Sequence, residues 1–423
     1  MNVIKRFFRK LGPGLITGAA DDDPSGIATY SQTGAQFGYG QLWTALYMLP
    51  FLIAIQEACA RIGEVTDEGL STVIKEHYGN KILYFMVLLV VIANTINIGA
   101  DIGAMAAAAQ LIISINFFIL TLLFTITILL VEIFFTYKSY AKVLKWLCLS
   151  LIIYPLTVLI VKEPWGTIFK ASIVPHFEFS FQFLFIMTGV FGTTISPYMF
   201  FWQTSQVVEE QREAGVKHKT NGNPLVTVRM IRNIRIDNFI GMFFSEIATW
   251  SIIVVGATVL NTHGITDIKT SADAAQALRP LVQSFPHAGV LAEILFAIGI
   301  IGLGLLAVPV LAASGAYAVS EALNWNSGLN LKLNKAHGFY GLITIAMLFG
   351  LSINYIGIDP IKALVYAAVI NAILSIPLIL LIALITGSKA IMGKYKSRAL
   401  SKTFVWLTFL GMLTTVVAML AFL

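Results

Sequence analysis

Eleven separate apolar runs, each long enough to cross the hydrocarbon core of a bilayer at about 20 residues, recur along this 423-residue chain. They fall at 11–37, 41–61, 81–104, 111–133, 142–161, 179–207, 237–260, 288–318, 338–356, 362–386 and 404–422. That core holds no water, so each backbone N–H and C=O must be paired within the protein. Runs of this length satisfy the condition as helices. Composition agrees: 57% of residues are hydrophobic and 12% charged, with a mean hydropathy of +0.81. A water-soluble chain of this make-up would expose large apolar patches. The fold class expected is an all-α polytopic membrane protein, a single transmembrane domain over 1–423 without a separate soluble unit.

The distribution of charge orients the spans. With Met1–Lys10 taken as a cytoplasmic tail, 23 of the 28 Lys and Arg lie in or beside cytoplasmic segments, and Lys162, Lys170, Lys269, Arg279 and Lys362 lie outside. This positive-inside bias places the N-terminus in the cytoplasm and, after eleven crossings, the C-terminus outside, in a cell (inner) membrane. It also explains the net charge of +6 as a topology signal and a contact for anionic lipid, so no nucleic-acid partner is expected. The basic tail runs into the first span without a small-residue cleavage site, so no cleavable signal is expected. Cys59 and Cys148 are isolated and have no disulfide or metal-site spacing; both read as small packed side chains.

Within the first span stands Gly12-Pro13-Gly14-Leu15-Ile16-Thr17-Gly18-Ala19-Ala20-Asp21-Asp22-Asp23-Pro24-Ser25-Gly26. A carboxylate at the bilayer centre costs about 3 kcal/mol even on lenient insertion scales, so three in succession need compensation. Pro24 lacks an amide proton and Gly26 tolerates unwound backbone. The stretch is therefore expected to break the helix in mid-membrane and present free carbonyls and a carboxylate to a cavity, an arrangement that attracts a cation. A second interruption, Gly192 to Pro197, lies in the sixth span. The two prolines are five spans apart, and five is odd, so the halves have opposite orientation. Paired interruptions in inverted halves point to the binding site of a secondary transporter.

These residues resemble the NRAMP family of divalent-metal transporters. The resemblance rests on Gly12-Pro13-Gly14, Asp23-Pro24-Ser25-Gly26, Gln32, Gly34-Ala35, Gly38-Tyr39 and Leu42-Trp43, then Gln56 with Arg61-Ile62-Gly63, then Gly192-Thr193-Thr194-Ile195-Ser196-Pro197-Tyr198. It implies a LeuT-like 5+5 inverted repeat with discontinuous helices 1 and 6 and one extra helix. The first repeat would be 11–161, an outer loop 162–178, the second repeat 179–386, and the extra helix 404–422. It further implies that Asp23 binds the metal directly, with backbone oxygens around Ala20 and Thr193. Hard cations favour such oxygens. Asp23 is also suited to cap the second half-helix, and the two roles are compatible.

The departures from the family pattern carry chemistry. Gly26 stands where the family has a ligating asparagine, Ser196 where it has a methionine, and Thr193 where it has an alanine. Without the thioether the site loses its preference for soft metals. An enlarged, oxygen-lined cavity suits a partly hydrated Mg²⁺ or Mn²⁺, because Mg²⁺ dehydrates reluctantly. The pattern is similar to the NRAMP-related magnesium transporter branch. Thr193 and Ser196 also fit plain helix packing by small residues. Asp21 and Asp22 replace apolar family positions; successive helical residues point about 100° apart, so the three acids cannot all ligate one ion. Asp22 contributes charge to the metal site, and Asp21 a negative vestibule or a water-mediated contact. The alternative for both is pairing with a polar or basic group on a neighbouring helix.

The family's proton machinery looks depleted. Tyr198 replaces a histidine, and Asn97 and Ala100 stand where the family has acids, with Asp101 next door. Asn94 and Asn97 fit interhelical hydrogen bonds. Glu246 and Asn371 are further polar groups for the pathway, whereas Glu57 lies four residues before Arg61 and should pair with it. The function expected is import of Mg²⁺ and Mn²⁺ as substrate, with no cofactor and weak or absent proton coupling. Alternatives are a proton-coupled Mn²⁺/Fe²⁺ importer and a LeuT-fold symporter of an organic solute, although three aspartates oppose an anionic solute. An enzyme is not expected, since the spans hold no nucleophile–base pair and no His/Asp cluster. Metal ions and the lipid bilayer are the partners; a monomer is compatible with the sequence.

Overall fold

A computed structural model of the chain describes residues 13–135, 151–161, 164–213, 215, 219–220, 223–224 and 226–423. The tail 1–10, Cys148 and part of the fifth run lie outside the described residues. The helices are α1 (Pro13–Asp21), α2 (Pro24–Phe37), α3 (Trp43–Thr66), α4 (Leu70–Tyr78), α5 (Asn80–Ala109), α6 (Phe117–Phe134), α7 (Ile153–Ile160) and α8 (Trp165–Ile173). They continue with α9 (Phe181–Thr194), α10 (Pro197–Glu213), α11 (Val228–Val255), α12 (Ala288–Ala322), α13 (His337–Ile353), α14 (Pro360–Gly387) and α15 (Ala399–Ala421). Among the described residues the only strands form a two-residue ribbon, Lys219–Thr220 with Asn223–Pro224.

Among the described residues eight spans qualify by length and apolar composition: α3, α5, α6, α9 with α10, α11 with its continuation to His263, α12, α14 and α15. The first expected span is split between α1 and α2, and α13 is a shorter apolar helix. The surface suits lipid: α6 exposes Ile119, Leu122, Leu123, Ile126 and Leu130. Several helices outrun the apolar windows. α10 carries Glu209 and Gln211 as buried helical residues beyond the 179–207 run, and α12 reaches Glu321. α11 starts at Val228 under a Thr227 cap that accepts from the Met230 amide. Glu, Gln and Arg are good helix formers, so an apolar window ends before the helix does.

Close glycine contacts fix the relative directions. A Cβ on Gly14 would meet Asn238 backbone at 2.9 Å, and one on Gly18 would meet Gly241 at 2.4 Å. The numbers rise together, so α1 runs parallel to α11. Likewise Gly63 abuts the Thr204 carbonyl, and the Thr204 hydroxyl donates to the Cys59 carbonyl at 3.2 Å. Gln211 farther along α10 donates to Glu64, so α3 and α10 are parallel too. These are one relation with the halves exchanged: the interrupted helix of each half lies along the second helix of the other. α5 and α12 cross the middle in opposite directions, Asn94 bonding the Leu311 carbonyl at 2.8 Å and Met105 lying against Gly304. This is the LeuT-like inverted repeat.

Both interruptions have local causes. Asp23 sits at the N-cap of α2 with extended backbone (φ −64°, ψ 175°), and Pro24 occupies the first helical position, where a missing amide costs nothing. α9 ends at Thr194, Ile195 leaves the helix at φ −119°, ψ 69°, and Pro197 opens α10. A residue before proline is disfavoured in helical geometry, which places Ser196 in the gap.

Candidate metal site

The two interruptions face each other. The Ser25 hydroxyl donates to Asp23 Oδ1 at 2.5 Å and lies 3.1 Å from Thr193 Oγ1 across the gap. The Gly26 amide donates to the same Oδ1 at 2.9 Å. Asp23 is 1% exposed, and its Oδ2 has no partner. The cap expected of this residue thus rests on Oδ1, which is committed to the helix, while Oδ2 is open.

The surrounding oxygens are held ready by neighbours. The Tyr198 hydroxyl reaches back to donate to the Ala20 carbonyl at 2.7 Å, near the negative end of α1. The Ser196 hydroxyl donates to the carbonyls of Gly192 (2.8 Å) and Thr193 (2.9 Å), tying off the end of α9. α14 braces the same gap, the Ser375 hydroxyl donating to Ile195 at 2.9 Å, while the buried Asn371 amide nitrogen has no partner. The space expected at Gly26 is not open in this conformation. A Cβ there would meet Tyr30 Cε2 at 3.2 Å and Thr193 Oγ1 at 3.4 Å, and Tyr30 is held by a 2.8 Å bond to Thr194. Asp23, Thr193, Ser196 and Tyr198 are all buried, so the site is closed to both sides.

Asp21 and Asp22 turn away from Asp23 toward α11, where the Ser245 hydroxyl donates to Asp21 Oδ2 (2.7 Å) and the Thr249 hydroxyl to Asp22 Oδ1 (3.1 Å). The Gly18–Gly241 contact brings the backbones close enough for these short side chains to meet. Pairing with polar groups on a neighbouring helix is therefore what the structure records for both. Among the described residues no three His, Cys, Asp or Glu side chains converge on one ion. Glu246 is buried between Ser245 and Thr249 with both oxygens unpartnered.

On α5, Asp101 is buried with both oxygens unpartnered, close enough to Asp23 for the two charges to interact. Asn97 is buried with its amide unpartnered, whereas Asn94 makes the interhelical bond expected of it. Glu57 pairs with Arg61 at 3.1 Å, as the spacing predicted, and also with Arg235 at 2.9 Å. Sequence reasoning missed Ser25, Tyr30, Ser245, Thr249 and Ser375. Ser245 and Thr249, four apart around an intramembrane glutamate, did carry a readable signal. Farther along α10 a 340 Å³ cavity opens beside Ser205, Glu209, Arg212, Tyr317 and Glu321.

The family model for Nramp, described as natural resistance-associated macrophage protein-like, matches residues 14–422. A relative from Chromohalobacter salexigens, "Divalent metal cation transporter MntH", is 26% identical over 395 residues, covering 92% of this chain and 85% of the relative. Its namesake from Caldanaerobacter subterraneus is 23% identical over 407 residues, covering 94% and 89%. Among solved structures, the Eremococcus coleocola manganese transporter in complex with an aromatic bis-isothiourea compound superposes with a TM-score of 0.77 at 17% identity, over 97% of this chain and 85% of that one. MhsT in complex with L-phenylalanine shares the fold more distantly, with a TM-score of 0.53 at 12% identity over 97% of each chain.

Proposed function

The chain belongs to the Nramp family of divalent-metal transporters, and on that footing we propose that it imports Mg²⁺ and Mn²⁺ as partly hydrated ions with weak or absent proton coupling. It is a multi-pass membrane transporter and not an enzyme. The observation that carries the reading is Asp23 Oδ2, a buried carboxylate oxygen left unpartnered at a helix break. The carbonyls of Ala20 and Thr193 and the hydroxyls of Thr193 and Ser196, or waters on them, complete the shell, and Asp22 adds charge. Gly26 leaves the approach free of a side chain once Tyr30 moves. Asp21, Tyr198, Asn97, Asp101, Glu246 and Asn371 line the route. The repeats 11–161 and 179–386 rock about this point, with the N-terminus in the cytoplasm and the C-terminus outside the inner membrane.

Manganese is supported by relatives named for divalent metal or manganese transport. Magnesium is supported by the oxygen-only donor set around Asp23, which offers no thioether. The drive is the metal gradient and the membrane potential, about 2.3 kcal/mol per charge per 100 mV. Asp101 beside Asp23 favours a second reading, a proton-coupled Mn²⁺/Fe²⁺ importer. Proteoliposomes holding Mg²⁺- and Mn²⁺-sensitive dyes and a pH dye separate the two. The proposal expects both metals to enter without acidification. Exclusion of Mg²⁺, or metal-driven acidification, overturns it.

A further inference from the structure

The stretch from Lys389 to Lys402 joins α14 to α15 and carries five cations, Lys389, Lys394, Lys396, Arg398 and Lys402, with no acid among them. All five are exposed, yet the stretch is fixed in place. Its Ser397 amide donates to the Thr386 carbonyl at 2.8 Å, and Met392 is fully buried. Arg61 of α3, itself buried, donates from Nη1 to the Tyr395 carbonyl at 2.7 Å and from Nη2 to the Ser397 hydroxyl at 2.9 Å. The Tyr395 hydroxyl donates to the Val226 carbonyl at 2.5 Å, just before α11 begins. Lys394 lies over the Tyr395 ring, 5.1 Å from its centre. These contacts hold Lys394 and Lys396 beside the first turns of α11. There the helix presents Arg232 and Arg235, both exposed. Arg235 shares the Glu57 carboxylate with Arg61, at 2.9 and 3.1 Å, so one acid answers two guanidinium groups. Asp237, the next acid along α11, turns inward and accepts from the Gly14 amide at 2.8 Å. Past the arginines, at helical spacing from Arg232, come Ile236, Phe239 and Phe243, which are 46%, 51% and 40% exposed. The two phenylalanine rings stack 5.9 Å apart.

We infer that Arg232, Arg235, Lys394 and Lys396 form a headgroup site for an anionic glycerophospholipid whose acyl chain lies along Phe239 and Phe243. The stretch 389–402 runs between two membrane spans, and α11 itself enters the bilayer beside it. Its cations therefore stand at headgroup level, where polybasic segments meet acidic lipid. A rise of 1.5 Å per residue sets Phe243 about 12 Å beyond Arg235, which leads from headgroup depth into the hydrocarbon. An exposed aromatic face at that depth is covered by acyl chain. The single carboxylate in the cluster is already shared by two arginines, so the site keeps a net positive charge. That selects a headgroup of net negative charge over a zwitterionic one, which brings a cation of its own. Each Lys or Arg near the surface strengthens such binding about five-fold. The leaflet is the cytoplasmic one on the orientation proposed above, and the inference does not depend on which ion is carried.

The test counts lipids. Purified full-length protein in detergent is titrated with dioleoyl phosphatidylglycerol or dioleoyl phosphatidylcholine, and native mass spectrometry reads the number bound. Wild type is expected to take its first phosphatidylglycerol at least about ten-fold more tightly than phosphatidylcholine. Arg232→Gln/Lys396→Gln changes two exposed side chains and should weaken phosphatidylglycerol about 25-fold while leaving phosphatidylcholine unchanged. Phe239→Ala/Phe243→Ala should weaken both lipids several-fold. Lys332→Gln/Lys335→Gln removes two exposed cations from another loop and should leave the preference intact. Equal binding of the two lipids by wild type overturns the inference, as does an undiminished preference in Arg232→Gln/Lys396→Gln. An equal loss in Lys332→Gln/Lys335→Gln also overturns it, since the attraction is then diffuse net charge. Displacement of the lipid by glycerol phosphate would mark a site for soluble phosphate and overturn it too, and unchanged binding in Phe239→Ala/Phe243→Ala overturns the place given to the acyl chain.

Discussion

The bond between Tyr198 and Ala20 sets up a competition that can be measured. The Tyr198 hydroxyl donates at 2.7 Å to the Ala20 carbonyl, and both residues are fully buried. If that carbonyl serves the cargo through the lone pair that the hydroxyl now holds, the ion displaces the hydroxyl. Tyr198→Phe removes the competitor while keeping the ring. In the ion-free protein the buried carbonyl then lacks its partner, a loss of about 1–2 kcal/mol. With the ion bound the carbonyl is satisfied in both proteins, so the loss returns as affinity, about 5- to 30-fold tighter. Calorimetric titration with Mn²⁺ reads the affinity, and thermal unfolding with and without Mn²⁺ reads the two stabilities. The variant should melt lower than wild type without metal and match it at saturation. Unchanged or weaker Mn²⁺ affinity in a folded variant refutes the competition.

Gly192→Ala should destabilise the fold, because its Cβ would lie 2.0 Å from the Ala368 carbonyl and 2.5 Å from the Ala372 amide. Separating α9 from α14 costs about 1–3 kcal/mol, read as a lower unfolding temperature in detergent. Ser196→Met adds a soft ligand at the break and should shift competition in uptake assays from Mg²⁺ toward Mn²⁺ and Cd²⁺. Glu321→Ala removes the acceptor that joins Ser205 of α10 (2.8 Å) to the Ser71 amide of α4 (3.2 Å). The cavity there should loosen, and Thr72→Cys on its wall should react faster with an impermeant thiol reagent in the Glu321→Ala background.

What could be read in the sequence was whatever local chemistry determines. Asp23-Pro24 and Ser196-Pro197 announce the two breaks because a cap and a proline act within a turn of themselves. Glu57 and Arg61 pair because four residues is one turn. What escaped depends on helices meeting far apart in sequence. Arg235 joins Glu57 from 178 residues away. Ser245 and Thr249 receive Asp21 and Asp22 only because Gly18 and Gly241 let two backbones touch. Tyr198 reaches Ala20 across the gap for the same kind of reason, and Tyr30 fills the space that Gly26 was expected to leave open. Glu209 and Glu321 lie beyond the apolar runs 179–207 and 288–318. In the fold Glu209 is a buried acceptor for Tyr317 at 2.6 Å, and Glu321 a partly buried one for Ser205 at 2.8 Å.

The central claim is that Asp23 Oδ2 holds the cargo, and locating the metal tests it most directly. Crystals grown with Mn²⁺ and measured at the manganese absorption edge give an anomalous map that marks the ion alone. The account predicts a peak about 2.1–2.5 Å from Asp23 Oδ2, within the range of oxygen–cation bonds, in the gap between α1 and α9. Peaks elsewhere with none at Asp23 would contradict it.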